Sequence, residues 1–193
     1  LVWYPGARGL FLGQVSHLTL LLQIAALWGV MKGRDGLGGV ALAAATFKPQ
    51  MVLLFAPFLL LWGLFTRRWR FLSAFGMAFV ALNLASFLLL PDWVDGMLYQ
   101  IGLYPSYIEV STPAWVVTQY LFDFGDGAEW AVNLFFYAVM LWTWYTVLVE
   151  KREERFLWAV MVTITVTHLV AFRTATPHFS VFVLPLVFYL RRF

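Results

Sequence analysis

The run LGGVALAAATFKPQMVLLFAPFLLLWGLF, residues 37–65, decides the fold. As one helix, its 29 residues would extend about 44 Å, against a hydrocarbon core of about 30 Å. Pro49 sits inside it, removes a backbone donor and clashes with the preceding turn, so a single helix would kink or break there. Lys48 would lie in mid-membrane, at a cost of roughly 2.5–3.5 kcal/mol on insertion scales. Basic residues flank both ends: Lys32 and Arg34 before, Arg67, Arg68 and Arg70 after. A hairpin of two short helices accounts for length, proline and charge together. Its apex is Lys48-Pro49-Gln50, and both basic ends fall on one side.

Phe156–Leu190 repeats the design. Lys151, Arg152 and Arg155 precede it, Arg191 and Arg192 follow it, and Arg173-Thr174-Ala175-Thr176-Pro177-His178 lies in its middle. The remaining apolar runs are Leu10–Met31, Phe71–Leu90 and Glu129–Val149. The whole 193-residue chain agrees, being 62% hydrophobic and only 12% charged, where soluble domains are about 25% charged. A backbone in lipid must satisfy its own hydrogen bonds, so helices are expected. The expected fold is all-α: a polytopic transmembrane helical bundle with about seven membrane segments, including the two short-helix hairpins. Residues 1–193 form a single integral-membrane domain, with 91–128 as an extracytoplasmic loop. The chain opens at Leu1 in apolar sequence, which reads as a fragment lacking its N-terminal part.

Charge sorts by side. With both hairpins in place, ten of the 13 basic residues fall on the side that the positive-inside rule makes cytoplasmic. Only Arg8, Lys48 and Arg173 remain on the other. The formal net charge of +3 is therefore topological and does not indicate a nucleic-acid partner. With no cysteine, disulfides, thiolate metal sites and cysteine nucleophiles are excluded. The three histidines lack HxxH or HExxH spacing, which argues against a histidine metal site. Gly39 and Ala43 have the small-xxx-small spacing that lets membrane helices approach closely.

Ionisable groups inside a membrane are functional candidates that need a partner. Lys48 and Gln50 mark one apex; Arg173, Thr174, Thr176 and His178 mark the other. Gln14, Ser16 and His17 start the first span, with Arg8 just before it. The spans hold no acid apart from Glu129 at one edge, so the cations call for an anionic ligand, and a lipid phosphate is the natural one. The structural alternatives are snorkelling of Lys48, interfacial anchoring by Arg173, and histidines satisfied in the interior. In the outer segment, aromatic residues among acids read as an interfacial belt or a sugar-stacking lid. Asp123 and Asp126 are its best carboxylates.

The order Gly13-Gln14-Val15-Ser16, a long apolar helix, Lys32 and Arg34, a small-residue helix, Phe47-Lys48-Pro49-Gln50, Pro57 and Arg67-Arg68-Trp69 resembles glycosyltransferase family 87. These are polyprenyl-phosphate-mannose-dependent mannosyltransferases of the GT-C class. Members commonly carry Asn where this chain has Ser16, and the resemblance is clearest over Leu10–Arg70. It implies an outward-facing, multi-pass enzyme of the cell membrane. Its donor would be a polyprenyl-phosphate-linked hexose, mannose above all, and its acceptor an extracytoplasmic glycan or lipid. The implied chemistry is direct inverting displacement, with a carboxylate base in a first outer loop upstream of Leu1. Lys48 and Arg173 would stabilise the leaving phosphate, aided by Gln50 and His178, while Gln14, Ser16 and Arg8 would contact substrate. A divalent ion is compatible with this chemistry but is not demanded by it. The rival reading is a transporter or flippase of an anionic lipid or sugar conjugate, because broken helices at the midplane suit transporters.

Overall fold

The computed structural model describes residues 4–107, 112–171 and 176–192. Its helices are α1 (Tyr4–Phe11), α2 (Ser16–Met31), α3 (Asp35–Ala45), α4 (Pro49–Val52), α5 (Phe55–Phe65) and α6 (Trp69–Leu89). They continue with α7 (Trp93–Tyr107), α8 (Pro113–Trp115), α9 (Asp126–Leu148), α10 (Phe156–Val166) and α11 (Val183–Arg192). Val116–Leu121 and Thr167–Ala171 are π-helical, and Glu153–Arg155 and Thr176–Phe182 are 3-10 turns. No strand occurs among the described residues.

Residues 37–65 are divided where Pro49 requires it. Helix α3 stops at Ala45, Lys48 is non-helical, and Pro49 opens α4 at its first position, where a missing N–H costs no hydrogen bond. The two arms return to one end of the molecule. At that end Arg68, just past α5, donates from Nη1 to Asp35 Oδ1 at 2.8 Å and to the Val30 carbonyl at 2.9 Å. Gly39 in α3 and Gly63 in α5 both lie against Phe71 at the start of α6. The apex Lys48-Pro49-Gln50 therefore points to the opposite end, as a hairpin demands.

The second hairpin closes in the same way. Trp158, early in α10, faces Phe188, late in α11, with ring centroids 6.3 Å apart. The two hairpins meet in the core. Phe58 of α5 packs on Trp144 of α9 at 5.2 Å, and Trp62 packs on Phe156 of α10 at 4.7 Å. Trp144 donates from Nε1 to the buried Thr163 Oγ1 at 2.7 Å, which gives that hydroxyl a partner between α9 and α10. Phe55, Phe58, Leu59, Ala159 and Val160 around them are fully buried. These contacts collect the basic turns after α2, α5 and α9 and the end of α11 at one end of the bundle.

Helix α3 is sandwiched between α2 and α6 on its small residues. A Cβ built at Gly29 would lie 2.7 Å from the Gly38 nitrogen, and one at Gly39 would lie 2.7 Å from the Phe75 nitrogen. Close approach of backbones is what the small-residue face of α3 supplies.

Among the described residues two helices, Trp69–Leu89 and Gly127–Leu148, are long and apolar enough to cross a membrane. Phe71 is the one buried residue of α6. Met77, Val80, Leu84 and Leu88 on it are each more than half exposed. A contiguous apolar surface of this kind is unfavourable in water and suits lipid.

The structure departs from the sequence reading in two places. Leu10–Met31 is not one helix: its first two residues end α1 and the rest leads into α2, because Gly13 adopts φ +61°, a left-handed conformation that breaks the run. The segment 91–128, expected as a loop, is largely helical, with α7, α8 and the Val116–Leu121 π turn. Trp93, which has strong apolar character, begins α7, and Thr112 caps α8 by accepting from the Trp115 N–H at 3.0 Å.

Candidate functional site

The break at Gly13 decides what surrounds Lys48. It delivers Gln14 and Ser16 to the head of α2, against the apex of the first hairpin. The Lys48 ammonium donates to Ser16 Oγ at 2.6 Å and to Gln14 Oε1 at 3.3 Å. Ser16 is fully buried and in turn donates to Gln14 Oε1 at 3.4 Å. Lys48 itself is only 9% exposed. Both of these hydrogen-bond partners of the ammonium are neutral. Among the described residues the ion pairs are Arg68–Asp35 and Arg152–Glu150, both at the opposite, basic end.

A second polar residue of α2 seats the apex. Gln23, fully buried, donates from Nε2 to the Met51 carbonyl at 2.8 Å, which fixes α4 on α2. Gln50 is half-buried on α4, one residue beyond Pro49. Sequence reasoning missed Gln23. Its signal was present as a lone amide inside an apolar helix, expensive in lipid unless it has a partner.

The second hairpin brings its own polar groups to this end. His178 is buried in the Thr176–Phe182 turn, within electrostatic reach of Lys48. That turn packs against α1 and the head of α2. His168, fully buried in the Thr167–Ala171 π turn, is within electrostatic reach of His178 and meets the Phe182 ring edge-on at 5.9 Å. The π turn also touches α4 and α8. Single π turns inside helices recur at functional sites, because they displace side chains from the regular helical positions.

Lys48, Gln14, Ser16 and His178 thus converge from three chain segments. Arg173 lies outside the described residues. Arg8 is exposed on α1 and donates to the Tyr4 hydroxyl at 3.4 Å, while its helix packs on the turn that holds His178. Asp123 is exposed at the turn before α9, with φ +49°. Asp126 opens α9. One turn further on, Glu129 accepts from Thr112 Oγ1 at 3.4 Å and ties α8 to α9. Among the described residues no three His, Asp or Glu side chains gather as a metal-ligand set.

Chemically, the cluster is a buried ammonium held in place by neutral acceptors, with an imidazole nearby. In a low-dielectric interior such a cation stabilises an anion far more than it would in water. No curated protein and no solved structure matches the chain. A family model does match, over residues 1–172 of the 193: that of glycosyltransferase family 87.

Proposed function

Because this chain belongs to glycosyltransferase family 87, we propose that it transfers mannose from a polyprenyl-phosphate-linked donor to an extracytoplasmic glycan or glycolipid. That it is an enzyme transferring a sugar follows from the family. The observation that carries the finer reading is the Lys48 ammonium, buried at the hairpin apex and hydrogen-bonded to Ser16 and Gln14. A cation in that setting is costly without an anion to meet, and the phosphate of a lipid-linked donor is the anion a membrane enzyme of this family would bring there.

In the proposed reaction a carboxylate base takes the proton of the acceptor hydroxyl. The hydroxyl oxygen attacks the anomeric carbon as the bond to the polyprenyl phosphate oxygen breaks, and the electron pair leaves on the phosphate. Lys48 faces that growing charge, with Arg173 as its partner from the second apex. A preorganised donor of this kind needs no reorganisation at the moment of reaction. His178 and Gln50 contact the phosphate or the sugar, while Gln14, Ser16 and Arg8 position the substrate-facing surface. The family favours this enzymatic reading over a transporter or flippase.

The topology proposed with it is multi-pass. The two long helices span the membrane and the shorter hairpin helices fill the bundle beside them. The basic end lies in the cytoplasm and the Lys48 end faces outward, in keeping with the positive-inside rule. The test is transfer of mannose from a short-chain polyprenyl-phosphate donor in membranes that carry the protein. Lys48→Ala is expected to lower the rate about 10²–10³-fold, the range for removing one preorganised donor to a developing anion. A wild-type rate in a correctly inserted Lys48→Ala protein would overturn the assignment.

A further inference from the structure

At the basic end, well away from Lys48, a cleft of about 580 Å³ opens between α9, the Glu153–Arg155 turn, α10 and α11. Its walls are aromatic, formed by Trp142, Trp158 and Tyr189. Among the described residues its charged lining groups are one acid and one base, Glu154 and Arg155, and the Arg155 guanidinium stands 5.7 Å from the centroid of the Trp142 ring. Its floor carries the hydroxyls of Thr143 and Thr146, both almost fully buried. Those hydroxyl protons are already committed, to the Met140 carbonyl at 2.7 Å and the Thr143 carbonyl at 2.8 Å. The two threonines therefore close the base of the cleft and offer it no proton.

The lining thus combines one guanidinium donor, one carboxylate and aromatic faces. A simple anion would gain Arg155 but meet Glu154. A simple cation would gain Glu154 and the rings but meet Arg155. A group with both charges meets a partner for each: phosphate on Arg155, and ammonium on Glu154 and the aromatic faces. The position favours a lipid as the source of such a group. The cleft lies beside the turn that holds Lys151 and Arg152 and the end of α11 that carries Arg191, at the end proposed to sit at the membrane–water interface, where Trp and Tyr are enriched. The exposed rings of Trp142 and Trp158 extend the cleft as an apolar surface on which acyl chains would lie.

We propose that this cleft is a binding site for a zwitterionic phospholipid with a phosphoethanolamine headgroup, separate from the donor site at Lys48. The experiment titrates the purified, delipidated protein in detergent and counts bound lipid by native mass spectrometry. The probes are dioleoyl phosphatidylethanolamine, dioleoyl phosphatidylglycerol and soluble glycerophosphoethanolamine. The wild type is expected to half-saturate with phosphatidylethanolamine at about one-tenth of the phosphatidylglycerol concentration, a tenfold preference corresponding to about 1.4 kcal/mol. Glu154→Gln removes the group that disfavours an anionic lipid and is expected to erase that preference. Arg155→Gln is expected to weaken both lipids. Glycerophosphoethanolamine is expected not to displace the diacyl lipid at the concentration that saturates the site. Equal or tighter binding of phosphatidylglycerol by the wild type would overturn the proposal without recourse to any variant. So would a Glu154→Gln protein that keeps the preference, or displacement by the soluble headgroup.

Discussion

Replacing Gly39 by alanine places a methyl group where α3 touches α6. The new Cβ would overlap the Phe71 carbonyl oxygen and lie 2.7 Å from the Phe75 nitrogen and 3.0 Å from Ala74 Cβ. Two of these three neighbours are backbone, so no rotamer change relieves the contact. Reaching ordinary van der Waals distance requires the helices to part by roughly 0.7–1 Å, and overpacking of this kind typically costs about 1–3 kcal/mol. Alanine recovers up to about 1 kcal/mol through its better helix propensity. The net expectation is a loss of about 1–2 kcal/mol, or a fall of about 4 °C in Tm for a chain of this size. Gly76→Ala in α6 is the internal control. Nothing lies within 4 Å of its Cβ, so only the propensity gain applies, and Tm should hold or rise slightly. The assay is thermal unfolding of the purified protein in detergent, followed by near-UV circular dichroism. A Gly39→Ala protein as stable as Gly76→Ala would refute the close α3–α6 packing on which the position of the Lys48 apex depends.

Ser16→Asp should place a carboxylate beside the Lys48 ammonium, which Ser16 Oγ now meets at 2.6 Å. The resulting ion pair would compete with the donor phosphate, so mannose transfer should fall at least tenfold while insertion is retained. Ser16→Ala should lower transfer more mildly, because it removes only one restraint on the ammonium. Gln23→Leu should change stability by less than about 1 kcal/mol, because it removes the bond to the Met51 carbonyl and, with it, the buried Gln23 Oε1 that has no partner among the described residues. Gln23→Ala should cost about 2–3 kcal/mol through the added cavity, and denaturant titration separates the two. Arg68→Lys should destabilise the protein by about 1 kcal/mol. Lysine keeps the charge but loses the planar guanidinium that stacks 4.6 Å from the Trp62 centroid and so holds Nη1 in place against both Asp35 and the Val30 carbonyl.

The hairpin at 37–65 was legible because its causes are local. Pro49 cannot continue a helix, the run is too long for one crossing, and the basic residues at its ends must share a side. The role of the small face at Gly39 and Ala43 was legible for the same reason, since spacing on a helix is fixed by its geometry. The break at Gly13 was not. A glycine in an apolar run is compatible with a straight helix, and only tertiary packing of α1 on the Thr176–Phe182 turn selects the left-handed conformation there. The helical character of 91–128 was obscured by its acids and aromatic residues, which resemble a lid as much as a helix. At the candidate site, Lys48 stands out by its cost in a membrane. The resemblance sets its neighbours Gln14 and Ser16 against substrate, and the structure adds that both accept from the ammonium. Gln23 and His168 went unassigned because a single polar residue in an apolar run does not reveal which helix it meets.

The role proposed for the buried Lys48 ammonium is to bind the phosphate of a polyprenyl-linked donor. The most direct measurement compares inhibition of mannose transfer by polyprenyl phosphate, the leaving group, with inhibition by the uncharged polyprenol of the same length, in wild type and Lys48→Gln. The wild type should be inhibited by the phosphate at a concentration at least about tenfold lower than by the alcohol, a single charge-assisted contact contributing about 1.5–3 kcal/mol. Lys48→Gln should respond to the two compounds alike. An undiminished preference for the phosphate in Lys48→Gln would show that Lys48 does not bind it.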